Sequence, residues 1–284
     1  MATTAPQDRR LILERDGLAA VGLEGQVAAN RYIAVQALQC ARAAAGLHAG
    51  PDEASEQTSQ LLFGEAFDVL DVEGAWAFGQ ARRDRYVGYV RTEALSAFTD
   101  LPTHWVSALR TYAFAAPNLK SPIRAMLSMN ALVTVDAEDG RFVHAVGAGW
   151  IFQGHLSPIG VCAEDPAAVA LQYLGAPYQW GGRESLGLDC SALVQNALNA
   201  CGLTCPRDSD QQFAELGRPV ETEDLARNDL VFWKGHVAVM VDGERMVHAN
   251  GHFMNVTLEP LAPAIARIAA AGAGQPIGCR RILP

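Results

Sequence analysis

The spacing of apolar positions changes several times along the chain and divides it into segments. From Asp8 to about Gly46 apolar residues fall at mixed helical spacing, and the Ala-rich stretch from Val35 to Ala45 predicts one helix. The polar run from Gly50 to Gln60 reads as a linker or exposed loop. Leu61 to Leu95 then alternates short strands with turn signals at Gly64, Glu73-Gly74 and Arg83-Asp84, which predicts a small β-barrel. A looser set from Tyr112 to Pro158, with a hairpin around Asp139-Gly140, reads as a weak internal repeat of the first. The last segment uses both periods. Leu193, Val194 and Leu198 follow Cys190 at helical spacing. Val237, Val239 and Val241 alternate with Ala238 and Met240, Asp242-Gly243 supplies a turn, and Met246-Val247 opens a second strand.

Candidate chemistry sits at the ends of these last elements. A cysteine in the first turn of a helix points its sulfur at unpaired backbone N–H groups and the positive end of the helix dipole, so Cys190 is expected to have a lowered thiol pKa. A thiolate nucleophile needs a base. His236 begins the first strand of the predicted hairpin and His248 ends the second, so antiparallel pairing brings both imidazoles to one end. One can act as base toward Cys190 while the other orients it.

These residues lie in an ordered set of five runs: YLGAPYQWGG (Tyr173 to Gly182), LDCSALVQ (Leu188 to Gln195), PRDSDQQ (Pro206 to Gln212), DLVFWKGHVAVMV (Asp229 to Val241) and MVHANG (Met246 to Gly251). Through them, Val161 to Pro284 resembles the NlpC/P60 family of papain-like cysteine peptidases. The resemblance implies hydrolysis of amide bonds in bacterial peptidoglycan peptides, with Cys190 as nucleophile, His236 as base and His248 as the third polar group. The family usually has Gly where this chain has Asn228, so the turn entering the hairpin is expected to differ slightly. Both upstream sets resemble bacterial SH3 domains, through Trp76 to Phe78 and Gly88-Tyr89-Val90 in the first and Gly149-Trp150-Ile151 in the second. The fold class expected is therefore α+β. An N-terminal helical segment and linker (1–55) precede two SH3-like barrels (56–111 and 112–160) and a papain-like catalytic domain (161–284).

Peptidases similar to this arrangement include those that cut γ-D-glutamyl-diamino acid bonds in murein peptides carrying a free N-terminal L-alanine. Binding a free amine calls for a carboxylate facing the ammonium and a wall closing the cleft. Glu65 and Asp189 are the candidate carboxylates, and Tyr89 a candidate wall or phenolic donor, although an aromatic in a barrel strand is ordinarily core. Ser191 and Ser209 match family positions that serve the D-glutamyl carboxylate; on their own they read as cap or turn residues. Arg207 adds positive charge, or is a solvated surface arginine. Tyr178 and the backbone N–H of Cys190 are candidate oxyanion donors. Trp180 and Trp233 read as packing, and His252 is a lesser rival to His248. The mechanism expected is acylation of a Cys190 thiolate paired with a His236 imidazolium, followed by hydrolysis.

Composition narrows the classes further. The chain has 284 residues, half of them hydrophobic, which is enough for a buried core and two or three compact units. A formal net charge of -9 argues against nucleic acid and anionic membranes as partners; the partner that the resemblance implies is a murein-derived peptide. Asp8, Arg9, Arg10, Glu14, Arg15 and Asp16 interrupt the apolar core that a secretory signal would need, so a cytoplasmic location is expected. Six scattered cysteines do not suggest a disulfide framework; Cys201 and Cys205 have metal-like spacing but no second ligand pair nearby, so neither a metal nor another cofactor is expected. The rival readings are an amidase or acyltransferase on the same core and a non-catalytic peptidoglycan-peptide binding module.

Overall fold

The computed structural model describes residues 8–98 and 101–283. The backbone divides into two compact units, one comprising residues up to 103 with 112–127 and 131–152, the other 104–111, 128–130 and 153 onward.

The first unit is built from strands. Among the described residues no α-helix precedes Pro166, so the expected N-terminal helix is absent. Its place is taken by Gln36–Cys40 (β1) and Ala44–His48 (β2). In β2 burial alternates, with Ala45 and Leu47 inward, and the strand pairs with Gln57–Leu62 (β3). The helix propensity of alanine is a few tenths of a kcal/mol per residue, and two-residue burial against a partner strand outweighs it here. Next come Ala66–Glu73 (β4), Trp76–Ala81 (β5), Val87–Arg91 (β6) and Leu95–Ala97 (β7). The turns between them fall where Gly64, Glu73-Gly74 and Arg83-Asp84 predict. The sheet order is β7-β1-β4-β5-β6-β2-β3, antiparallel throughout. Its ladder runs from one edge strand to the other without closing, so the expected barrel is an open seven-stranded sheet, and three of its strands draw on the stretches read as helix and linker, β3 taking Gln57 to Gln60 from the latter. Cys40, Leu47, Leu61, Phe67 and Val90 fill one core, while Leu13, Leu70, Trp76, Phe78 and Tyr89 fill another.

The second set of strands also forms an open sheet. Arg110–Phe114 (β8), Ile123–Ser128 (β9), Val135–Asp139 (β10), Phe142–Ala145 (β11) and Gly149–Phe152 (β12) take the order β9-β8-β12-β11-β10. The β10–β11 hairpin turns at Gly140, in the left-handed region, where the Asp139-Gly140 pair predicts it.

The second unit layers helices on a six-stranded antiparallel sheet. Pro166–Leu171 (α1), Cys190–Ala200 (α2) and Ser209–Glu215 (α3) precede most of its strands. Arg218–Val220 (β13), Leu230–Trp233 (β14), His236–Met240 (β15), Arg245–Asn250 (β16) and Asn255–Pro260 (β17) lead to Leu261–Ala270 (α4) and Gly278–Arg281 (β18). The order is β13-β18-β14-β15-β16-β17. The predicted hairpin is β15–β16, with Val239 opposite Val247 and Met240 opposite Met246. One face, carrying Val231, Trp233, Ala238, Met240 and Met246, packs on Leu261, Ala264 and Ile268 of α4. Those helix residues are spaced to lie on one side. Asn228 explains how the chain enters β14 without the usual glycine: it adopts φ of 74°, a left-handed conformation that Asn tolerates better than most side chains, and its Oδ1 accepts the Ala167 N–H at 2.8 Å.

A glycine in the first unit gives a direct test of that packing. Gly64 has φ of 75° and lies so close to the Leu132 carbonyl that a Cβ would overlap it. Gly64→Ala should cost about 1–3 kcal/mol from backbone strain alone. Chemical denaturation checks this, and an unchanged midpoint would mean that the turn relaxes freely.

Candidate active site

The start of α2 is held by a buried ion pair. Asp189 is extended and caps the helix, its Oδ1 accepting the Ala192 N–H at 2.9 Å. The same carboxylate accepts the Ser191 hydroxyl at 3.0 Å, the Gly181 N–H at 2.9 Å, and Arg207 through Nη1 at 3.0 Å and Nη2 at 2.7 Å. Five donors fill the lone-pair sites of one carboxylate. Arg207 Nη1 also donates to Ser191 Oγ at 2.9 Å, and Gln212 Nε2 donates to the carbonyls of Ser191 and Pro206, each at 2.9 Å. The PRDSDQQ run thus ties α3 and its leading loop to the nucleophile helix. Arg207 is 1% exposed, which overturns its reading as a solvated surface residue. Asp189, Ser191 and Arg207 are hydrogen-bonded to one another and together hold the start of α2. Ser209 is the first residue of α3 and half-buried, with Asp208 serving as the cap.

Cys190 opens α2 as predicted, but helix position does not decide its protonation. Burial and the Asp189 carboxylate push the thiol up to about 12, against the backbone N–H groups of Val237 and Ser191 and the charge of Arg207, which favour the thiolate. The expectation of a lowered Cys190 thiol pKa is therefore corrected: burial and Asp189 outweigh the helix start. The Val237 N–H at the sulfur shows that β15 begins beside the nucleophile. His236, the first residue of that strand, follows the Lys234-Gly235 turn and lies against Trp233, with ring centroids 5.6 Å apart. Its Nε2 is 2.8 Å from Nδ1 of His248, which is 1% exposed. Burial, with help from His248 and Arg267, lowers His236 to about 3; burial, then Arg267, lowers His248 to about 4. Both shifts favour the neutral imidazole. Tyr178 has its phenol pKa raised by burial and then by the Cys190 sulfur, which places its hydroxyl in the field of the nucleophile. His252 is exposed and lies edge-on against Phe253.

Beyond His248 the polar chain continues through residues that periodicity does not flag. His248 Nε2 is 2.7 Å from Glu259 Oε1, and Glu259 forms an ion pair with Arg267 of α4. Asn250 lies alongside, its Oδ1 accepting the Phe253 N–H at 2.9 Å. The only signal for Glu259 in the sequence is a carboxylate breaking the strand NVTLEP, and nothing local says what it faces.

The remaining sequence candidates lie in the first unit. Glu65 is buried, ion-paired with Arg83, and accepts the Leu62 N–H at 3.0 Å. Tyr89 is packed against Phe78, and Arg15 Nη1 donates to its hydroxyl at 2.7 Å, so its ordinary reading as core holds. In the second unit Trp233 is core as expected, whereas Trp180 is 61% exposed and is not the packing residue predicted. Among the described residues no cluster of His, Cys, Asp and Glu is arranged to hold a metal ion.

Residues 175–267, which span the Cys190 helix, both histidines and Glu259, match the NlpC/P60 family. The chain carries an NlpC/P60 domain. Residues 47–95 match the bacterial dipeptidyl-peptidase Sh3 domain, within the seven-stranded sheet. A Bacillus subtilis gamma-D-glutamyl-L-lysine dipeptidyl-peptidase is 29% identical over 212 residues, 67% of this chain and 71% of that one. Dipeptidyl-peptidase 6 of Lysinibacillus sphaericus is 24% identical over 243 residues, 75% and 88% of the two chains. The fold is similar to the crystal structure of an NlpC/P60 family protein from Bacillus cereus, with a TM-score of 0.74 at 21% identity over 88% of this chain and 100% of that one.

Two outcomes follow from the geometry of the NlpC/P60 domain. Arg207→Met leaves the Asp189 carboxylate buried without its counter-charge and should cost about 3–5 kcal/mol, read from denaturant midpoints. A loss below 1 kcal/mol, the size of a surface pair, would mean that water replaces the guanidinium. If His236 takes the Cys190 proton, His236→Ala leaves a buried thiol without a base, so alkylation of Cys190 by iodoacetamide should be slow near neutral pH and rise only as pH approaches the raised thiol value. Peptide mapping measures this, and parental labelling rates at neutral pH would remove His236 from the base role.

Proposed function

We propose that this protein is a cysteine peptidase that hydrolyses the γ-D-glutamyl-diamino acid bond of murein peptides with a free N-terminal L-alanine. The observation that carries the reading is the order nucleophile helix, His236, His248, with the imidazoles 2.8 Å apart and β15 starting at the sulfur. The names of the two relatives support the bond and its position in the peptide.

In the forward step the Cys190 proton passes to His236 and the sulfur attacks the γ-glutamyl carbonyl, forming a tetrahedral intermediate. Tyr178 and the Cys190 N–H stabilise its oxygen. His236 then gives the proton to the departing amine, the C–N bond breaks, and a thioester remains. Water, deprotonated by His236, attacks the thioester and restores the thiol. His248 holds the His236 ring in place throughout and supports its positive charge. The substrate on this reading is a soluble peptide released by wall turnover, and recycling of such peptides carries with it a cytoplasmic place of action.

A defined L-Ala-γ-D-Glu-diamino acid peptide tests the reading. Mass spectrometry should find the L-Ala-D-Glu dipeptide and the free diamino acid, and an N-acetylated peptide should be cleaved much more slowly. Cys190→Ala should abolish turnover and retain binding. Binding without turnover by the parent protein would point instead to a peptide-binding module, and equal cleavage of the acetylated peptide would remove the free-amine requirement.

A further inference from the structure

We propose that Glu259 is a positioning residue that decides which nitrogen of His248 carries its proton, and through it turns a lone pair of His236 toward Cys190. The inference deepens the proposed function and rests on its assignment of Cys190 and His236.

Two neutral histidines sharing one hydrogen bond have two proton arrangements. If His248 is protonated on Nε2, its Nδ1 accepts from His236 Nε2–H, and His236 Nδ1 is left as a lone pair able to take the thiol proton. If His248 is protonated on Nδ1, it donates to His236 Nε2, the proton of His236 sits on Nδ1, and the thiol faces a donor. Only the first arrangement makes a base. The choice depends on what meets His248 Nε2, and two groups do. Asn250 Nδ2 is 3.2 Å away, and because Asn250 Oδ1 accepts the Phe253 N–H, its amide nitrogen can offer only a donor there. Glu259 Oε1 is 2.7 Å away and, as a carboxylate, can only accept. The amide favours the unproductive arrangement and the carboxylate the productive one. The carboxylate is closer and charged, so it wins. The Asn250 amide is accommodated by the His248 and Asn255 carbonyls at 3.5 and 3.4 Å.

The fold delivers Glu259 to this nitrogen. In the β16–β17 ladder Met246 is opposite Glu259 and His248 is opposite Thr257, so alternation puts His248 and Glu259 on one face, a diagonal step apart. Arg267 of α4, whose guanidinium lies over the Phe253 ring at 5.2 Å, pairs with the carboxylate and fixes its place beside His248. Glu259 touches neither the sulfur nor the substrate; it acts through His248.

The test reads the proton directly in the full-length protein. Nitrogen-15 NMR of histidine-labelled protein should show His248 protonated on Nε2 in the parent. Glu259→Ala leaves Nε2 to the Asn250 amide and should move the proton to Nδ1, slowing Cys190 alkylation by iodoacetamide near neutral pH on the order of 100-fold, the lower end of a general base's contribution. Glu259→Gln retains an accepting oxygen and should restore the Nε2–H tautomer and most of the rate. A residue serving only as an ion-pair partner for Arg267 would not show that rescue, since Gln cannot replace its charge. The inference is overturned if His248 of the parent carries its proton on Nδ1, or if Glu259→Ala changes neither tautomer nor alkylation. Should the Ala variant fail to fold, the parent spectrum and the Gln variant decide alone. No measurement here uses a peptide substrate, so failure of the substrate assignment and failure of this inference are separable.

Discussion

The Asp189–Arg207 pair is the interaction on which the NlpC/P60 domain's site depends. It is buried, bidentate and saturated, with the helix cap, the Gly181 loop and the Ser191 hydroxyl all drawn to one carboxylate. Taking such charges out of water costs several kcal/mol per ion, and only complete hydrogen bonding offsets that cost. The consequence is directional. The loop carrying Tyr178, the first turn carrying Cys190 and the lead-in to α3 share one anchor, so none can shift without leaving a buried charge unmatched.

That anchor has an electrostatic cost at the nucleophile. A carboxylate one residue before Cys190 opposes the thiolate, and burial opposes it further. The helix start, the Val237 N–H and Arg207 act the other way without prevailing. On the proposed function, reactivity comes from a partner that accepts the proton, which makes the protonation of the imidazoles the controlling variable. Burial favours their neutral forms, so on the proposed mechanism it is the tautomer that distinguishes a competent resting site from an incompetent one.

The sheet supplies that control at a distance from the sulfur. Pairing of β16 with β17 sets the register that lines up His248 and Glu259, and α4, seated on the same face by Leu261, Ala264 and Ile268, brings Arg267 to the end of the chain. A run of polar contacts from β15 to α4 therefore rests on the same apolar packing that stabilises the domain, which ties the position of the base to the integrity of the core.

Local periodicity in the sequence determined the helix at Cys190, the hairpin that brings His236 and His248 together, and the strands and turns from Leu61 to Leu95, because each depends on residues within one or two turns of one another. Tertiary structure alone decided the rest. Gln36–Cys40 and Ala44–His48 are strands because partners distant in the chain pair with them, and in Ala44–His48 bury Ala45 and Leu47 in alternation, a pull that alanine's weak helix preference does not match. Arg207 is buried because Asp189, eighteen positions earlier in the chain, neutralises it; without that partner an arginine in a loop reads as surface. Glu259 meets His248 only through strand register, and a carboxylate at the end of a strand carries no local sign of what it faces. Pattern along a chain reports which side of an element is apolar; which polar groups then meet across elements is set by packing, and this site is made of such meetings.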